Sequence, residues 1–162
     1  MRPPGEGRRA LVVGCGNGRD AEHVAAAGYV TTAFDIAPTA IELARGRHPG
    51  SPVDYVVADL LDPPPAWRHA FDLVVESNNV QALPAQIRAR AIGTAGTFVA
   101  PGGTLLVLAA AAVARPGDGP PWPLTRAEID AFAVDGLRLV SVEHVATPQT
   151  TFPGRWRAVF TR

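Results

Sequence analysis

The chain has 162 residues, of which 47% are hydrophobic and 19% are charged, a balance typical of one globular domain that excludes disordered and fibrous proteins. Its fifteen arginines and fifteen acidic residues give a formal net charge of zero, so no overall field attracts nucleic acid or an anionic membrane. Cys15 is the only cysteine, which excludes an internal disulfide and a cysteine-ligated metal cluster within one chain. We therefore expect a single domain over residues 1–162.

Apolar runs that alternate with helical patterns indicate five strands and three helices in the first two thirds of the chain. In chain order, the predicted elements are strand 10–14, helix 20–27, strand 29–35, a helix from 38 to about 46, strand 53–58, strand 71–76, helix 85–100 and strand 104–108. Because crossovers between parallel strands are right-handed, few other packings fit this order. We expect a parallel sheet with helices on both faces.

The end of the chain has a different pattern. Residues 124–134 predict a helix whose N-cap is Thr125, with Glu128 completing a capping box. Two strand-like runs follow, 137–145 and 155–160, without a helix between them. Consecutive strands joined by a loop pair antiparallel, which distinguishes this chain from the dinucleotide-binding fold. The predicted fold is an α/β Rossmann-like three-layer sandwich, with a mostly parallel seven-stranded sheet and a C-terminal antiparallel hairpin.

Three glycines, Gly14, Gly16 and Gly18, follow the first predicted strand and open the first helix. Glycine permits a tight turn there and lets a ligand approach the backbone amides, although a strand-to-helix corner alone produces the same pattern. The NAD fingerprint places its third glycine where this chain has Arg19. The G-x-G-x-G spacing therefore favours an adenosyl ligand without a pyrophosphate.

Two carboxylates end neighbouring predicted strands. Asp35 closes the second strand, where a carboxylate can accept hydrogen bonds from both hydroxyls of a ribose. Asp59 follows the third strand and can accept from an adenine amino group. Either acid alone could be a solvated residue at a strand end. Because open α/β sheets bind ligands at the carboxyl edge of their strands, the glycine turn and the two acids together predict a cofactor site at that edge.

At these motifs the sequence resembles the class I S-adenosylmethionine-dependent methyltransferases, over residues 10–162. The resemblance is to the thiopurine methyltransferase-like branch, and it rests on residues 11–20 (LVVGCGNGRD), 34–41 (FDIAPTAI) and 71–76 (FDLVVE), on the 101–103 turn (PGG), and on Trp156. It implies transfer of a methyl group from S-adenosylmethionine to a small-molecule acceptor, with S-adenosylhomocysteine as the product.

The resemblance also implies which residues hold the cofactor. The methionine and ribose part would be lined by the turn Gly14, Cys15, Gly16, Asn17 and Gly18. Asp35 and Ile36 would contact the ribose and the adenine edge, and Asp59 with Leu60 would contact the adenine.

Other side chains have two interpretations. Glu76 ends the fourth strand, in the region that faces the transferred methyl by resemblance, and is expected to hold the cofactor's amino end or to act as a general base; the alternative is a solvated loop acid. Asp20 is expected to stabilise the first helix N-terminus, and the alternative is a contact with the cofactor. The four histidines have no metal-ligand spacing, so no metal is expected. Trp122, in the proline- and glycine-rich loop 116–123, is the aromatic candidate for an acceptor pocket.

The partners follow from the same features. The first predicted strand begins within ten residues of Met1, whereas similar enzymes carry a preceding segment that covers the cofactor. A homodimer or a second chain could complete this lid, or the chain could be a cofactor-binding module without catalysis of its own. An NAD-linked oxidoreductase is the third hypothesis, which the glycine spacing and the terminal hairpin oppose.

The longest apolar run, 105–114, is half of the ~20 residues of a membrane helix, so we expect a cytoplasmic protein without membrane or nucleic-acid partners.

Overall fold

A computed structural model of the chain describes residues 5–112, 119–146 and 154–162. Within these residues the chain forms one seven-stranded sheet and four α-helices. The strands are β1 (Arg9–Val13), β2 (Val30–Asp35), β3 (Asp54–Val57), β4 (Phe71–Ser77), β5 (Val99–Ala110), β6 (Arg138–Ala146) and β7 (Gly154–Thr161). The helices are α1 (Arg19–Ala26), α2 (Pro38–Arg47), α3 (Ala85–Thr97) and α4 (Arg126–Asp130).

The strands lie in the order β3-β2-β1-β4-β5-β7-β6. The first five strands pair in parallel, and β7 enters between β5 and β6, antiparallel to both. The predicted Rossmann-like fold with its C-terminal antiparallel hairpin is confirmed. The later strand of the hairpin joins the parallel part of the sheet, and the earlier strand forms the edge.

β5 differs most from its prediction. It runs from Val99 to Ala110, whereas the sequence predicts a strand only over residues 104–108, because residues 101–103 are typical of a turn. The structure places that run inside the strand as a bulge, where the pairing with β4 shifts register and Gly102 has a φ of +76°. α3 consequently ends at Thr97 and does not continue to residue 100.

α4 is shorter than the predicted helix over residues 124–134, but its start is as predicted. The hydroxyl of Thr125 accepts a 3.1 Å hydrogen bond from the backbone N–H of Glu128, and the Glu128 carboxylate accepts the backbone N–H of Thr125 at 2.8 Å. This capping box satisfies two amides that the first helical turn leaves without partners.

The sheet has an apolar layer on each face. One layer packs the sheet against α3 and α4 through buried residues such as Ile92 and Ile129, and the other packs it against α1 and α2 through Val24 and Ile41. Helices therefore cover both faces, as predicted. Among the described residues, none of the helices has the length and apolar character needed to span a bilayer.

Candidate functional site

The carboxyl ends of β1, β2 and β3 meet at one edge of the sheet, because the three strands are parallel and in register. A cavity of about 160 Å³ lies at this edge. It is lined by Gly14, Phe34, Asp35, Ile36, Ala58, Asp59, Leu60, Leu61, Asn79, Leu83 and Ile87. Five of these residues are ones that the sequence predicts as cofactor contacts, and most of the remaining lining is apolar. We call this space the adenine-side cavity.

A second cavity, of about 290 Å³, lies over the glycine turn. It is lined by Gly14, Cys15, Gly16, Asn17, Arg19, Asp20 and Ser77, and we call it the turn-side cavity. Gly14 lines both cavities, so the two spaces border the same turn, and we refer to them together as the cleft, with an apolar half and a polar half. Such a division suits a ligand with a flat aromatic end and a charged end.

The backbone of the turn takes a conformation that favours glycine. Gly14 and Gly16 have φ values of +59° and +51°. A Cβ on Gly14 would collide with the side chain of Asn79, whereas a Cβ on Gly16 would meet no protein atom within 4 Å. The open space beside Gly16 is thus available to a ligand that approaches the main chain.

Asp35 connects the turn to β2. Its Oδ2 accepts the backbone N–H of Gly16 at 3.0 Å, and its Oδ1 accepts the N–H of Ala37 at 3.0 Å. A carboxylate oxygen has more than one lone-pair site, so each oxygen can also accept from a sugar hydroxyl. The half-buried carboxylate is therefore held in place by two backbone amides.

Asp59 is fixed in a similar way. Its Oδ1 accepts the backbone N–H of Leu61 at 2.8 Å. Leu60 is buried beside it, and Ile36, which lines the same cavity, is 66% exposed. The arrangement presents one acid and two aliphatic side chains to the same space, which fits a planar heterocycle with an exocyclic amino group.

Cys15 is buried and lines the turn-side cavity. Desolvation by burial, with a contribution from the nearby Asp35 carboxylate, raises the pKa of its thiol to about 12. The thiol therefore stays neutral at physiological pH and packs as a small apolar group rather than acting as a nucleophile.

Gly18 lies outside both cavities, in contrast to its predicted contact with the cofactor. It is the N-cap of α1 with a φ of +89°, and a Cβ there would collide with the hydroxyl of Tyr55. That hydroxyl donates a 2.6 Å hydrogen bond to Glu22 of α1. Helix initiation and close packing account for glycine at this position.

Glu76 also lies outside both cavities, although the sequence suggests a contact with the cofactor or a role as general base. Its side chain is 0% exposed. Oε1 accepts the backbone N–H groups of Asn79 and Val80, both at 2.8 Å, while Oε2 has no hydrogen-bond partner in the described part of the chain. Burial raises the pKa of this carboxyl to about 7. A general base must reach its substrate, and the observed position of Glu76 does not allow this.

The structure adds residues that the sequence did not single out as cofactor contacts. Asn79, Leu83 and Ile87 line the adenine-side cavity, and Ser77 lines the turn-side cavity. All four follow the buried part of β4, whose carboxyl end lies next to that of β1. A general rule could have found them, because loops after neighbouring parallel strands border the same ligand site.

Other aromatic and titratable candidates lie elsewhere. Trp122 lines a separate groove between α3 and α4, together with Arg88 and Glu128. Trp67 packs against the ring of Phe34 at a centroid distance of 5.0 Å. Among the described residues, no group of three or more His, Cys, Asp or Glu side chains could hold a metal ion.

Comparison with known proteins identifies the family. The family model for the methyltransferase domain matches residues 10–103, which contain the glycine turn and both site acids. The chain belongs to this methyltransferase family. The ubiquinone biosynthesis O-methyltransferase of Xylella fastidiosa is 36% identical over an alignment of 111 residues, which covers 65% of this chain and 43% of that protein. The chain thus spans less than half the length of this curated relative.

Solved structures share the fold. The N-methyltransferase NodS from Bradyrhizobium japonicum, in complex with S-adenosylhomocysteine, superposes with a TM-score of 0.77 at 23% identity, over 96% of this chain and 78% of NodS. A structure from work on the conversion of a disulfide bond into a thioacetal group during echinomycin biosynthesis gives a TM-score of 0.74 at 28% identity, over 95% of this chain and 76% of that one. The family match and the shared fold support S-adenosylmethionine as the cofactor of this methyltransferase domain.

Proposed function

We propose that this chain binds S-adenosylmethionine in the cleft at Gly14 and transfers its methyl group to a small-molecule nucleophile, with a sulfur, oxygen, nitrogen or halide acceptor atom. The observation that carries the proposal is the convergence of the glycine turn, Asp35 and Asp59 on one cleft with an apolar and a polar half. The family match provides independent support.

The residues of the cleft fit the cofactor part by part. The apolar half, with Asp59 and Leu60, suits the adenine, and Ile36 covers one side of it. The Asp35 carboxylate suits the ribose hydroxyls. The polar half at Gly16, Asn17 and the neighbouring Gly14 suits the methionine end, because a ligand there can approach backbone amides.

The chain's contribution to the reaction is alignment. S-adenosylmethionine supplies an electrophilic sulfonium methyl group when it is bound. The hydrogen bonds of Asp35 to Gly16 and Ala37 keep the turn in one conformation before binding, and the buried side chains of the adenine-side cavity exclude water from one end of the cleft. A thiolate or halide acceptor needs no general base, whereas a neutral thiol, amine or hydroxyl acceptor needs a group to take its proton.

The finer assignment to the thiopurine methyltransferase-like branch is also a proposal. It is supported by the residues quoted for the resemblance, including Pro38 at the first turn of α2 and Trp156 in β7. A screen in which thiols and thiopurine-type heterocycles are methylated faster than phenols and amines would support this branch. The opposite order would place the chain elsewhere in the family.

A second candidate is a cofactor-binding subunit that needs a homodimer partner or another chain to complete the acceptor site. The exposure of Ile36, at 66% on the wall of the adenine-side cavity, favours it, because a large aliphatic side chain at a ligand site is usually covered when the site is complete. An NAD-linked oxidoreductase is disfavoured by the glycine spacing and by the antiparallel β7.

Calorimetry separates these candidates when it is followed by an acceptor screen. Titration with S-adenosylmethionine and S-adenosylhomocysteine tests the cofactor, and NADH serves as the control ligand. A screen of thiol, halide, amine and phenol acceptors then tests turnover, with light scattering to measure the oligomeric state. Cofactor binding with turnover supports the enzyme, binding without turnover supports the partner-dependent subunit, and binding of NADH alone contradicts both.

A further inference from the structure

Glu76 occupies an unusual position for a carboxyl group. It pairs in register with Val13 of β1 on one side and with Val107 of β5 on the other. In-register neighbours in a parallel sheet point to the same face, and both valines belong to the apolar layer beneath α3. The carboxyl group of Glu76 therefore extends into a layer where an aliphatic side chain would avoid the cost of desolvation.

The carboxyl group of Glu76 makes its hydrogen bonds to the segment of the chain that follows β4. Its Oε1 accepts the consecutive backbone N–H groups of Asn79 and Val80 at 2.8 Å each. These amides begin the short helical turn Val80–Ala82, and the chain reaches them through Asn78, whose φ is +60°. The two bonds hold the main chain in this conformation immediately after β4 ends.

The same loop forms a wall of the cleft. The side chain of Asn79 packs so closely on Gly14 that a Cβ on Gly14 would collide with it, and both residues line the adenine-side cavity. Leu83, at the end of the loop, lines the cavity as well. The position of the main chain at Asn79 therefore determines where this wall lies against Gly14.

We propose that Glu76 is a positioning residue for cofactor binding, which acts through Asn79 by fixing the loop after β4 against the glycine turn. The proposal rests on the proposed function, since it assigns the adenine-side cavity to the cofactor. It replaces the direct roles that the sequence suggests for Glu76 with an indirect one, because the carboxyl group contacts the loop and not the cleft.

A second buried polar residue holds the other half of this loop. Oε1 of Gln81 accepts the backbone N–H of Ala110 at 2.6 Å, and its backbone carbonyl accepts the N–H of Trp122 at 2.8 Å. Gln81 thus ties the loop to β5 and to the segment that carries Trp122, away from the cleft. The two side chains hold different parts of the loop: Glu76 holds the amides of Asn79 and Val80 beside Gly14, and Gln81 holds the part that faces β5. The preceding Asn78 is held separately, by its backbone N–H to the carbonyl of Leu108 and by the Arg155 guanidinium.

The test compares affinity for S-adenosylhomocysteine among full-length variants by calorimetry. Glu76→Leu removes the acceptor, and we expect a loss of affinity of about tenfold or more, in line with two lost hydrogen bonds. Glu76→Gln keeps the Oε1 acceptor, and we expect affinity within about threefold of the wild type. Val74→Ala is the matched control: Val74 lies on the same strand and face and is equally buried, so it lowers stability without moving the loop.

A double-mutant cycle tests the route through Asn79. If Glu76 acts by placing the Asn79 side chain, then Glu76→Leu should change affinity by less than about threefold once Asn79 has been replaced by alanine. A full additional loss in the Asn79→Ala background contradicts the proposed route. Wild-type affinity in folded Glu76→Leu overturns the positioning role itself.

Hydrogen exchange keeps the inference testable if Glu76→Leu does not fold. The amides of Asn79 and Val80 should be protected in the wild type and in Glu76→Gln, to a similar degree in both. Fast exchange of both amides in the wild type overturns the proposal. Failure of the wild type to bind S-adenosylhomocysteine, with protected amides, instead contradicts the proposed function and leaves Glu76 with a structural role only.

Discussion

The backbone amide of Gly16 donates a 3.0 Å hydrogen bond to Oδ2 of Asp35, and this bond links the glycine turn after β1 to the end of β2. The residue proposed to hold the ribose therefore also holds the turn proposed to hold the methionine end. A change at Asp35 should affect both parts of the cleft at once.

Asp35→Ala should weaken binding of S-adenosylhomocysteine by about 1 to 3 kcal/mol, because it removes charge-assisted hydrogen bonds to the ligand and the support of the turn. Calorimetry measures the change. Asp54→Ala is the control, since Asp54 is an exposed acid at the opposite end of β3, and its affinity should match the wild type. Unchanged affinity in Asp35→Ala would exclude Asp35 from the site.

Glu76 should make stability depend on pH. Burial raises its pKa from 4.5 to about 7 in the folded protein, so the folded state holds the proton more tightly than the unfolded state. The stabilisation from protonated Glu76 is complete below pH 4.5 and is lost as the pH rises to about 7. The free energy of unfolding falls by about 3 kcal/mol in total over this range. Urea unfolding of the wild type and Glu76→Gln across this range measures the difference. Parallel pH profiles for the two proteins would contradict the expectation.

Gly18→Ala should lower the free energy of unfolding by about 1 to 3 kcal/mol, because a side chain at a φ of +89° is strained and its Cβ collides with the Tyr55 hydroxyl. Gly7→Ala provides the control for strain alone, since Gly7 has a φ of +75° and no atom within 4 Å of an added Cβ. A larger loss at Gly18 than at Gly7 is expected in urea unfolding. Equal losses would show that Tyr55 moves aside without cost.

Glu128→Ala should destabilise the protein by about 3 kcal/mol, because it leaves the charge of Arg88 buried without its 2.7 Å partner and removes the capping box of α4. Asp130→Ala on the same helix breaks a pair with Arg126 in which both side chains are about half exposed, and it should cost no more than about 0.5 kcal/mol. Thermal or urea unfolding gives both values. Similar losses of stability in Glu128→Ala and Asp130→Ala would mean that the ion pair between Arg88 and Glu128 is solvated.

Much of the fold could be predicted from the sequence, because its alternating strands and helices have distinct hydrophobic patterns. β5 was the exception: residues 101–103 contain the glycines and proline that usually mark a turn, and only the pairing with β4 shows that they form a bulge within a longer strand. The sequence also predicts a longer α4 than the structure has, because apolar residues continue to Val134 although the helix ends at Asp130.

The sequence predicts the site residues that lie at the ends of parallel strands. Gly14, Asp35 and Asp59 follow the ends of parallel strands, so the topology brings them together. Glu76 was not predictable in the same way, because strands covered on both faces are apolar throughout and give no sign of which face a terminal acid takes. The resemblance places the region after β4 near the transferred methyl, but the sequence alone does not show which residues of this loop line the cavities, because that depends on how the loop packs against Gly14.

The insertion of β7 between β5 and β6 has a consequence for folding order. Among the described strands, β6 is joined to the sheet only through β7, so during synthesis residues 138–146 leave the ribosome before the strand that receives them. Until β7 follows, the unpaired edge of β5 offers its backbone groups to any extended chain nearby. A nascent chain stalled between the two strands should therefore aggregate or recruit chaperones, whereas one released after β7 should not.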